Sequence, residues 1–419
     1  MSKKIIVAHP LKQHSFHTAI ALEKEGVLYK YITTTYVSKK SITAKLLRIL
    51  KGNTLKKAKS RTCKEIDNNV VQFMEIYNLI YLAMLRIPFL KRFRRWYIRK
   101  VIDSFGIKVA KFSIKNKVDA VIMYDTTALT CFKYLEKNAP NIKRILDVSM
   151  FTYKYMKRNL DEDLKKNRVV NHKVESDFLW NDKIMCERDE EISLSQYFIG
   201  ASSVVKESLK YCGVNDDRIY IVPYGVEMNK FEFVPKKEVK LPLKLLFVGQ
   251  VNYRKGVHHL LEIVSNMDRD MVELYLAGVV DKNIDILDKY GKFSNIFFEG
   301  FVTRDKLPNL YQECDVFIFP SLGEGYGLVV LEALSCGLPC IVSDQVGGSD
   351  AISNYINGFK YKLGNNEELK QRIEWFIDNP KKIEKMSQNA RESIKHLDWN
   401  NYYRNLYRVI NDIVNKNIM

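Results

Sequence analysis

The sequence predicts an α/β protein built as two doubly wound lobes that face each other across a cleft. Three observations carry that prediction. The chain has 419 residues, more than a single core of about 100 to 200 residues usually holds. Short apolar, β-rich runs alternate with longer helical patterns through both halves, as in parallel sheets covered on both faces. One charged, proline-bearing stretch, residues 231–242, interrupts the alternation and reads as a linker.

In the first series, strands are expected near 5–8 (IIVA), 119–124 (DAVIMY), 144–148 (RILDV), 197–200 (YFIG) and 219–222 (IYIV). The second series places them near 244–249 (KLLFVG), 273–278 (ELYLAG), 296–300 (IFFEG), 315–320 (DVFIFP) and 339–343 (PCIVS). The expected division is an N-terminal lobe over 1–230, the linker 231–242 and a C-terminal lobe over 243–397. Ligands of such sheets bind beyond the carboxyl ends of the strands, so the cleft between the lobes is the expected site.

Composition is that of a soluble globular enzyme, with 46% hydrophobic, 12% aromatic and 28% charged residues. No apolar run reaches the roughly 20 residues of a membrane span, the nearest approach, Val70 to Leu90, being broken by Gln72, Glu75, Asn78 and Arg86. The chain opens directly into the strand-like KKIIVA, so a cytoplasmic location without a signal peptide is expected. Seven cysteines show neither metal-ligand spacing nor a disulfide framework, and Cys336 and Cys340 read as core residues.

The net charge of +18 is concentrated between residues 39 and 117. Residues 39–64 carry ten Lys or Arg and no acid, and residues 86–117 carry eleven with only Asp103 against them. The second block interleaves Phe89, Leu90, Phe93, Trp96, Tyr97 and Ile98 with its cations, a composition suited to an anionic membrane surface, with a peripheral position on the inner face of the cell membrane as the matching location. An ordinary solvated basic face is the other reading. Nucleic acid is not expected, since no nucleic-acid module accompanies the charge.

The stretch GEGYGLVVLEALSCGLPC, residues 323–340, follows the strand DVFIFP. Glycines at 323, 325 and 327 let a ligand approach the main chain, and a helix starting near Gly327 directs its first amides and its dipole at an anion. Glu332 falls within an otherwise apolar helix, so its carboxylate requires donors or a cation nearby. Sugar hydroxyls suit that need, whereas a structural base would account for one glutamate but not for the loop.

These residues resemble the signature of the retaining glycosyltransferases of family 4, whose GT-B architecture places a nucleotide-sugar between two Rossmann-like lobes. Glu324, Glu332, Ala333, Gly337 and Pro339 fit the pattern. FVGQVNYRKGVHHLLE resembles the family's strand and Gly-rich turn at Gly249, with Arg254 and Lys255 as the pair that grips the donor diphosphate and Gln250 where relatives often carry arginine. IYIVPYGVEMNKF resembles the element before the linker, with Glu227 for aspartate, and SDQVGGSDA its glycine turn, with Asp350 one place early. The segment 398–419 looks like the helix that crosses back to complete the first lobe. The resemblance covers residues 190–419 well and the first lobe loosely.

What the resemblance implies is a retaining, metal-independent glycosyltransferase moving a sugar from a nucleoside-diphosphate-sugar to a glycan or lipid-linked acceptor, in cell-surface polysaccharide synthesis. The implied catalytic residues are Glu324, Arg254 and Lys255; the donor-binding ones are Glu332, Gly325, Tyr326, Gly327, Leu328, Gly249 and Val302. No cofactor and no metal are expected: DED at 161–163 reads as solvated surface, and His9, His14 and His17 as loop or cap residues. After RILDV the chain offers SMFTYKYMKR, without the histidine that many relatives place there. A GT-B epimerase, a phosphorylase and a non-catalytic basic membrane-binding protein are the alternatives.

Overall fold

The computed structural model describes residues 3–11, 14–38, 41–47, 51–167, 170–235 and 239–416. The first sheet contains β1 (Ile5–Ala8), β2 (Leu28–Thr33), β3 (Val70–Gln72), β4 (Ala120–Tyr124), β5 (Lys143–Val148), β6 (Tyr197–Gly200) and β7 (Ile219–Ile221), in the order β3-β2-β1-β4-β5-β6-β7. The second contains β8 (Leu243–Val248), β9 (Val272–Ala277), β10 (Ile296–Gly300), β11 (Val316–Phe319), β12 (Cys340–Ser343) and β13 (Gly358–Tyr361), in the order β10-β9-β8-β11-β12-β13. Neighbouring strands within each sheet pair in parallel. In each sheet the strand order reverses beside its first strand, between β1 and β4 and between β8 and β11, which is where doubly wound folds open a ligand crevice.

The central strands β1, β4, β5, β11 and β12 are buried along their whole length. Helices cover both faces, so β1, β4, β11 and β12 read as nearly continuous apolar runs instead of alternating, while β5 buries Lys143, Arg144 and Asp147 among its apolar residues. All ten expected strands are present to within a residue or so at their ends. Three more, β2, β3 and β13, escape the sequence pattern. β3 and β13 lie at sheet edges and β2 is next to one; partial exposure lets LYKYIT, VVQ and GFKY carry polar residues.

The last helix, Trp399–Asn415, packs on the first-lobe helix Ser15–Lys24. The His17 ring stacks on Trp399 with centroids 3.5 Å apart, and the buried Lys143 ammonium donates to the carbonyls of Ile413 and Val414 at 2.6 and 3.1 Å. A cation on the last carbonyls is how a helix C-terminus is satisfied when its own donors run out.

The lobes also meet through loops. Asn159 donates to the Leu322 carbonyl at 2.9 Å and to Gln345 at 3.0 Å, Ser202 donates to the Gly325 carbonyl at 2.7 Å, and Tyr326 donates to the Tyr224 carbonyl at 3.1 Å. Asp350 accepts the Ser203 amide at 2.8 Å, at the start of helix Ser203–Tyr211. The acid that stands one place early in the sequence pattern thus joins the second lobe to a helix N-terminus of the first, a favoured place for a carboxylate. No helix among the described residues is long and apolar enough to cross a membrane.

Candidate active site

The site grows from two strand ends of the second lobe. After β8, Gly249 leads into the turn Tyr253–Lys255, capped by the Asn252 side chain, which accepts the Lys255 amide at 3.0 Å. After β11, the chain runs through Ser321–Gly327 into helix Leu328–Ser335. Gly327 sits at φ 78°, the left-handed region that suits glycine, at the N-cap of that helix. A Cβ on Gly325 would collide with the Ser149 carbonyl oxygen, so this loop touches the first lobe with its bare backbone.

The two strand ends bring Arg254, Lys255 and Glu324 together. The Lys255 ammonium pairs directly with the Glu324 carboxylate, and the Arg254 guanidinium lies 3.7 Å from the same oxygen while donating to the Gly323 carbonyl at 3.2 Å. Lys255 is also 5.0 Å from the centre of the Phe319 ring. Burial pulls the Lys255 ammonium below its ordinary pKa, with Glu324 opposing that pull. A cation held in a desolvated place acts strongly on any charge that enters.

Glu332 is buried, as the apolar helix predicts, and its partners are Tyr311, whose hydroxyl donates at 3.3 Å, and Arg304, whose guanidinium lies 3.5 Å away. Burial raises the Glu332 pKa, partly offset by Arg304 and Tyr311. The Arg304 side chain is 70% exposed, so Glu332 faces a solvent-open cation on one side and the core on the other. Arg304 follows β10 on the same loop as Val302, and Leu328 is exposed at the start of the Glu332 helix. Tyr326 is buried with its hydroxyl turned to the first lobe and its carbonyl accepting the Gly348 amide.

Between the lobes lies a cavity of about 450 Å³. Gln250, Asn252, Arg254 and Asp281 line it from the second lobe, and Asp125, Ser149, Phe151 and Tyr153 are among those lining it from the first. Asp125 follows β4 and accepts the Ser149 amide at 3.0 Å and its hydroxyl at 2.7 Å, with burial raising its pKa. Asp125, Asn252 and Asp281 are cavity residues that sequence reasoning missed. For Asp125 the signal was available, since an acid directly after DAVIMY stands at the carboxyl end of a central strand.

The three histidines of the first loop do not converge. His9 turns to the Leu11 backbone, His14 lies 2.9 Å from the Tyr224 hydroxyl and 3.3 Å from Asp147, and His17 faces Trp399 and Tyr403. The solvated-surface reading of DED is overturned for its last residue. Asp163 is buried, because helix Tyr153–Lys166 turns it inward against His172 and the second-lobe residues His258 and His259. Ligand atoms of Asp163, His258 and His259 all lie within 4.8 Å of one another.

Among known proteins, residues 229–393 match the model of the family described as glycosyl transferases group 1. A Campylobacter jejuni relative, N,N'-diacetylbacillosaminyl-diphospho-undecaprenol alpha-1,3-N-acetylgalactosaminyltransferase, is 27% identical over 235 residues, 53% of this chain and 61% of its own length. The chain spans about 60% of the length of this relative and of two Methanocaldococcus jannaschii glycosyltransferases it also matches. The apo structure of the lipopolysaccharide outer core galactosyltransferase WaaB superposes with a TM-score of 0.65 at 17% identity, covering 98% of this chain and 99% of that one. Anabaena HepE in complex with UDP superposes with a TM-score of 0.61 at 13% identity, covering 98% and 100%. These likenesses show the GT-B fold over both lobes.

Proposed function

From the match of residues 229–393 to the group 1 glycosyltransferases, we propose that this chain is a retaining, metal-independent enzyme that transfers a sugar from a nucleoside-diphosphate-sugar to a lipid-linked or glycan acceptor in cell-surface polysaccharide synthesis. The observation that carries the proposal is the cluster of Arg254, Lys255 and Glu324 beside an interlobe cavity to which Arg254 contributes. Arg254, Lys255 and the amides that open helix Leu328–Ser335 hold the diphosphate. Glu332 accepts the ribose hydroxyls, main chain at Val302 meets the base, and Glu324 contacts the donor sugar. As the glycosidic bond breaks, negative charge grows on the leaving diphosphate, and fixed cations and dipoles stabilise that growth most in a closed cleft. The acceptor hydroxyl attacks from the face the diphosphate leaves, and its proton passes to a diphosphate oxygen.

A lipid-linked acceptor is favoured by a patch on the first lobe. Ile76, Tyr77, Ile80, Leu85, Ile87, Phe89, Phe93 and Trp96 are all exposed within one stretch, beside the exposed Arg92 and Lys100. Monomeric surfaces rarely gather so much apolar area, and cations at its rim suit anionic lipid. A cavity lined by Phe89 and Arg92 shares Arg95 and Ile98 with a neighbouring one, which shares Thr126 and Tyr153 with the interlobe cavity. That succession gives an amphiphile a route from the patch to Arg254. Similarity to the Campylobacter enzyme, named for an undecaprenol diphosphate substrate, and to HepE, solved with UDP, points the same way.

The test is a screen of nucleotide-sugars for thermal stabilisation and for transfer to polyprenyl-diphosphate-linked sugars, in the presence of chelator, with the anomeric configuration of the product read by proton NMR. Transfer with retention is the expected result. Conversion of a nucleotide-sugar without acceptor, a requirement for inorganic phosphate, inversion, or loss of transfer with chelator would each overturn the corresponding part of the proposal.

A further inference from the structure

Three of the seven histidines of the chain surround one carboxylate at the seam between the lobes. Asp163 Oδ1 lies 2.8 Å from His259 Nε2, and Oδ2 lies 3.1 Å from His258 Nε2 and 2.7 Å from His172 Nε2. All four side chains are buried. Asn167 adds a donor to Oδ1 at 2.8 Å. Asp163 belongs to helix Tyr153–Lys166 of the first lobe, whereas His258 and His259 open helix Val257–Ser265 of the second.

Hydrogen bonding leaves this cluster incomplete. Among the described residues His259 makes no hydrogen bond of normal geometry through either ring nitrogen, although its Nε2 stands 2.8 Å from a carboxylate oxygen. The ring aims that nitrogen off the line of an N–H···O bond, so a buried polar atom meets an acceptor without using it, an arrangement that calls for an explanation. Among the described residues the contacts of Asp163 are three imidazoles and an amide, with no arginine or lysine beside the buried carboxylate. A divalent ion answers both needs, taking the unused Nε2 lone pair and balancing the carboxylate. Zinc ligands at about 2.0 to 2.2 Å in a tetrahedron stand about 3.3 Å apart. The 2.8 and 3.1 Å separations of Asp163 from His259 and His258 are close to that edge.

We propose that Asp163, His258 and His259 bind a first-row divalent transition-metal ion such as Zn²⁺ that ties the two lobes together at the edge of the cleft. Two imidazoles and a carboxylate form a donor set that such ions take readily. His172, 2.7 Å from Oδ2, holds the carboxylate in place, as outer partners of metal ligands do. None of the three ligands is among the residues lining the interlobe cavity, so the ion takes no part in the transfer. It ties the start of helix Val257–Ser265 to helix Tyr153–Lys166 and acts on stability, so that transfer persists when it is stripped.

The experiment strips the full chain with chelator and titrates it with Zn²⁺ by calorimetry and with Co²⁺ by visible absorption. One equivalent of Zn²⁺, displacing one equivalent of bound Co²⁺, is expected, with a rise in Tm. Asp163→Asn and His259→Gln should each weaken binding at least tenfold and abolish the rise in Tm, while His396→Gln and Cys186→Ser, at exposed positions, leave both unchanged. Circular dichroism establishes that each variant is folded; should the cluster variants not fold, the stoichiometry of the wild-type protein and the two control variants decide. Absence of stoichiometric binding to the wild type, unchanged affinity in folded Asp163→Asn and His259→Gln, or binding that disappears with His396 or Cys186 overturns the proposal.

Discussion

Glu332→Gln separates binding from stability, because the two should move in different directions. The Glu332 carboxylate is buried and its pKa is raised, chiefly by desolvation, so the ionised group costs the fold something when the pH is above that value. The sign follows from linkage. The folded state holds this proton more tightly than the unfolded state, so stability falls as pH rises from the unfolded to the folded pKa and stays at the lower level beyond. A glutamine keeps the shape and can still accept from Tyr311 and Arg304, at 3.3 and 3.5 Å in the wild type, but carries no charge to desolvate. The Tm at pH 8 should therefore hold or rise. Donor affinity should fall, because a hydroxyl bound to a carboxylate makes a charge-assisted bond and one bound to an amide does not. The expected loss is about 1 to 3 kcal/mol, or about 5- to 150-fold in Kd. Calorimetric titration with the nucleoside diphosphate alone, beside thermal melts at pH 8, measures both quantities. Unchanged affinity in a folded variant would refute the ribose assignment, and a large drop in Tm would refute the reading of Glu332 as a strained functional charge.

Arg254→Ala and Lys255→Ala should each lower turnover at least about tenfold, a loss of about 1.4 kcal/mol in transition-state stabilisation; wild-type turnover in both variants would remove them from the mechanism. Gly325→Ala forces a methyl group against the Ser149 carbonyl, so turnover should fall while amide hydrogen-exchange protection of the second-lobe strands is preserved, and unchanged kinetics would mean that the lobes need not approach this closely. For the membrane patch, sedimentation with anionic liposomes should fall steeply with salt and be lost in Phe89→Ser/Trp96→Ser and reduced in Arg92→Gln/Lys100→Gln. Arg94, Arg95 and Arg99 are unsuitable for that test, since they hold the carbonyls of Met84 and Leu85, Asp177 and Glu187 respectively. Equal binding of the wild type to neutral and anionic vesicles would sink the membrane reading.

What the sequence made legible follows from how local the constraint is. The central strands β1, β4, β11 and β12 are bounded by turns and buried on both faces, so their apolar runs announce them; β3 carries three half-buried residues, VVQ, and announces nothing. Glu332 was legible because a lone acid in an apolar helix contradicts its surroundings. Arg254, Lys255 and Glu324 were legible through a family pattern, yet their direct pairing was not, because it joins two strand ends 69 positions apart in the chain. Asp163 was misread for the same reason: in a charged helical stretch nothing local distinguishes an acid facing water from one facing His258, 95 positions away. Tyr97, read as a membrane-facing aromatic, is half-buried with its hydroxyl on the Tyr77 carbonyl.

The pairing of Lys255 with Glu324 bears on how the proposed enzyme spends its electrostatics. Without a donor, the lysine charge is balanced by the glutamate, and the cleft does not bear an isolated buried cation, which burial would otherwise force toward its neutral form. A donor diphosphate arriving beside Arg254 competes with Glu324 for the ammonium, and competes better as the glycosidic bond stretches and its charge grows. The Lys255 ammonium therefore interacts more strongly with the transition state than with the bound donor, and only such a difference accelerates the chemical step. Glu324→Gln removes the competitor. It should bind the nucleoside diphosphate more tightly than wild type, because Lys255 is then fully available in the ground state, while turnover falls at least about tenfold for want of that difference and of the sugar contact. Weaker nucleotide binding together with lower turnover would assign Glu324 to holding Lys255 in place and would leave the competition argument without support.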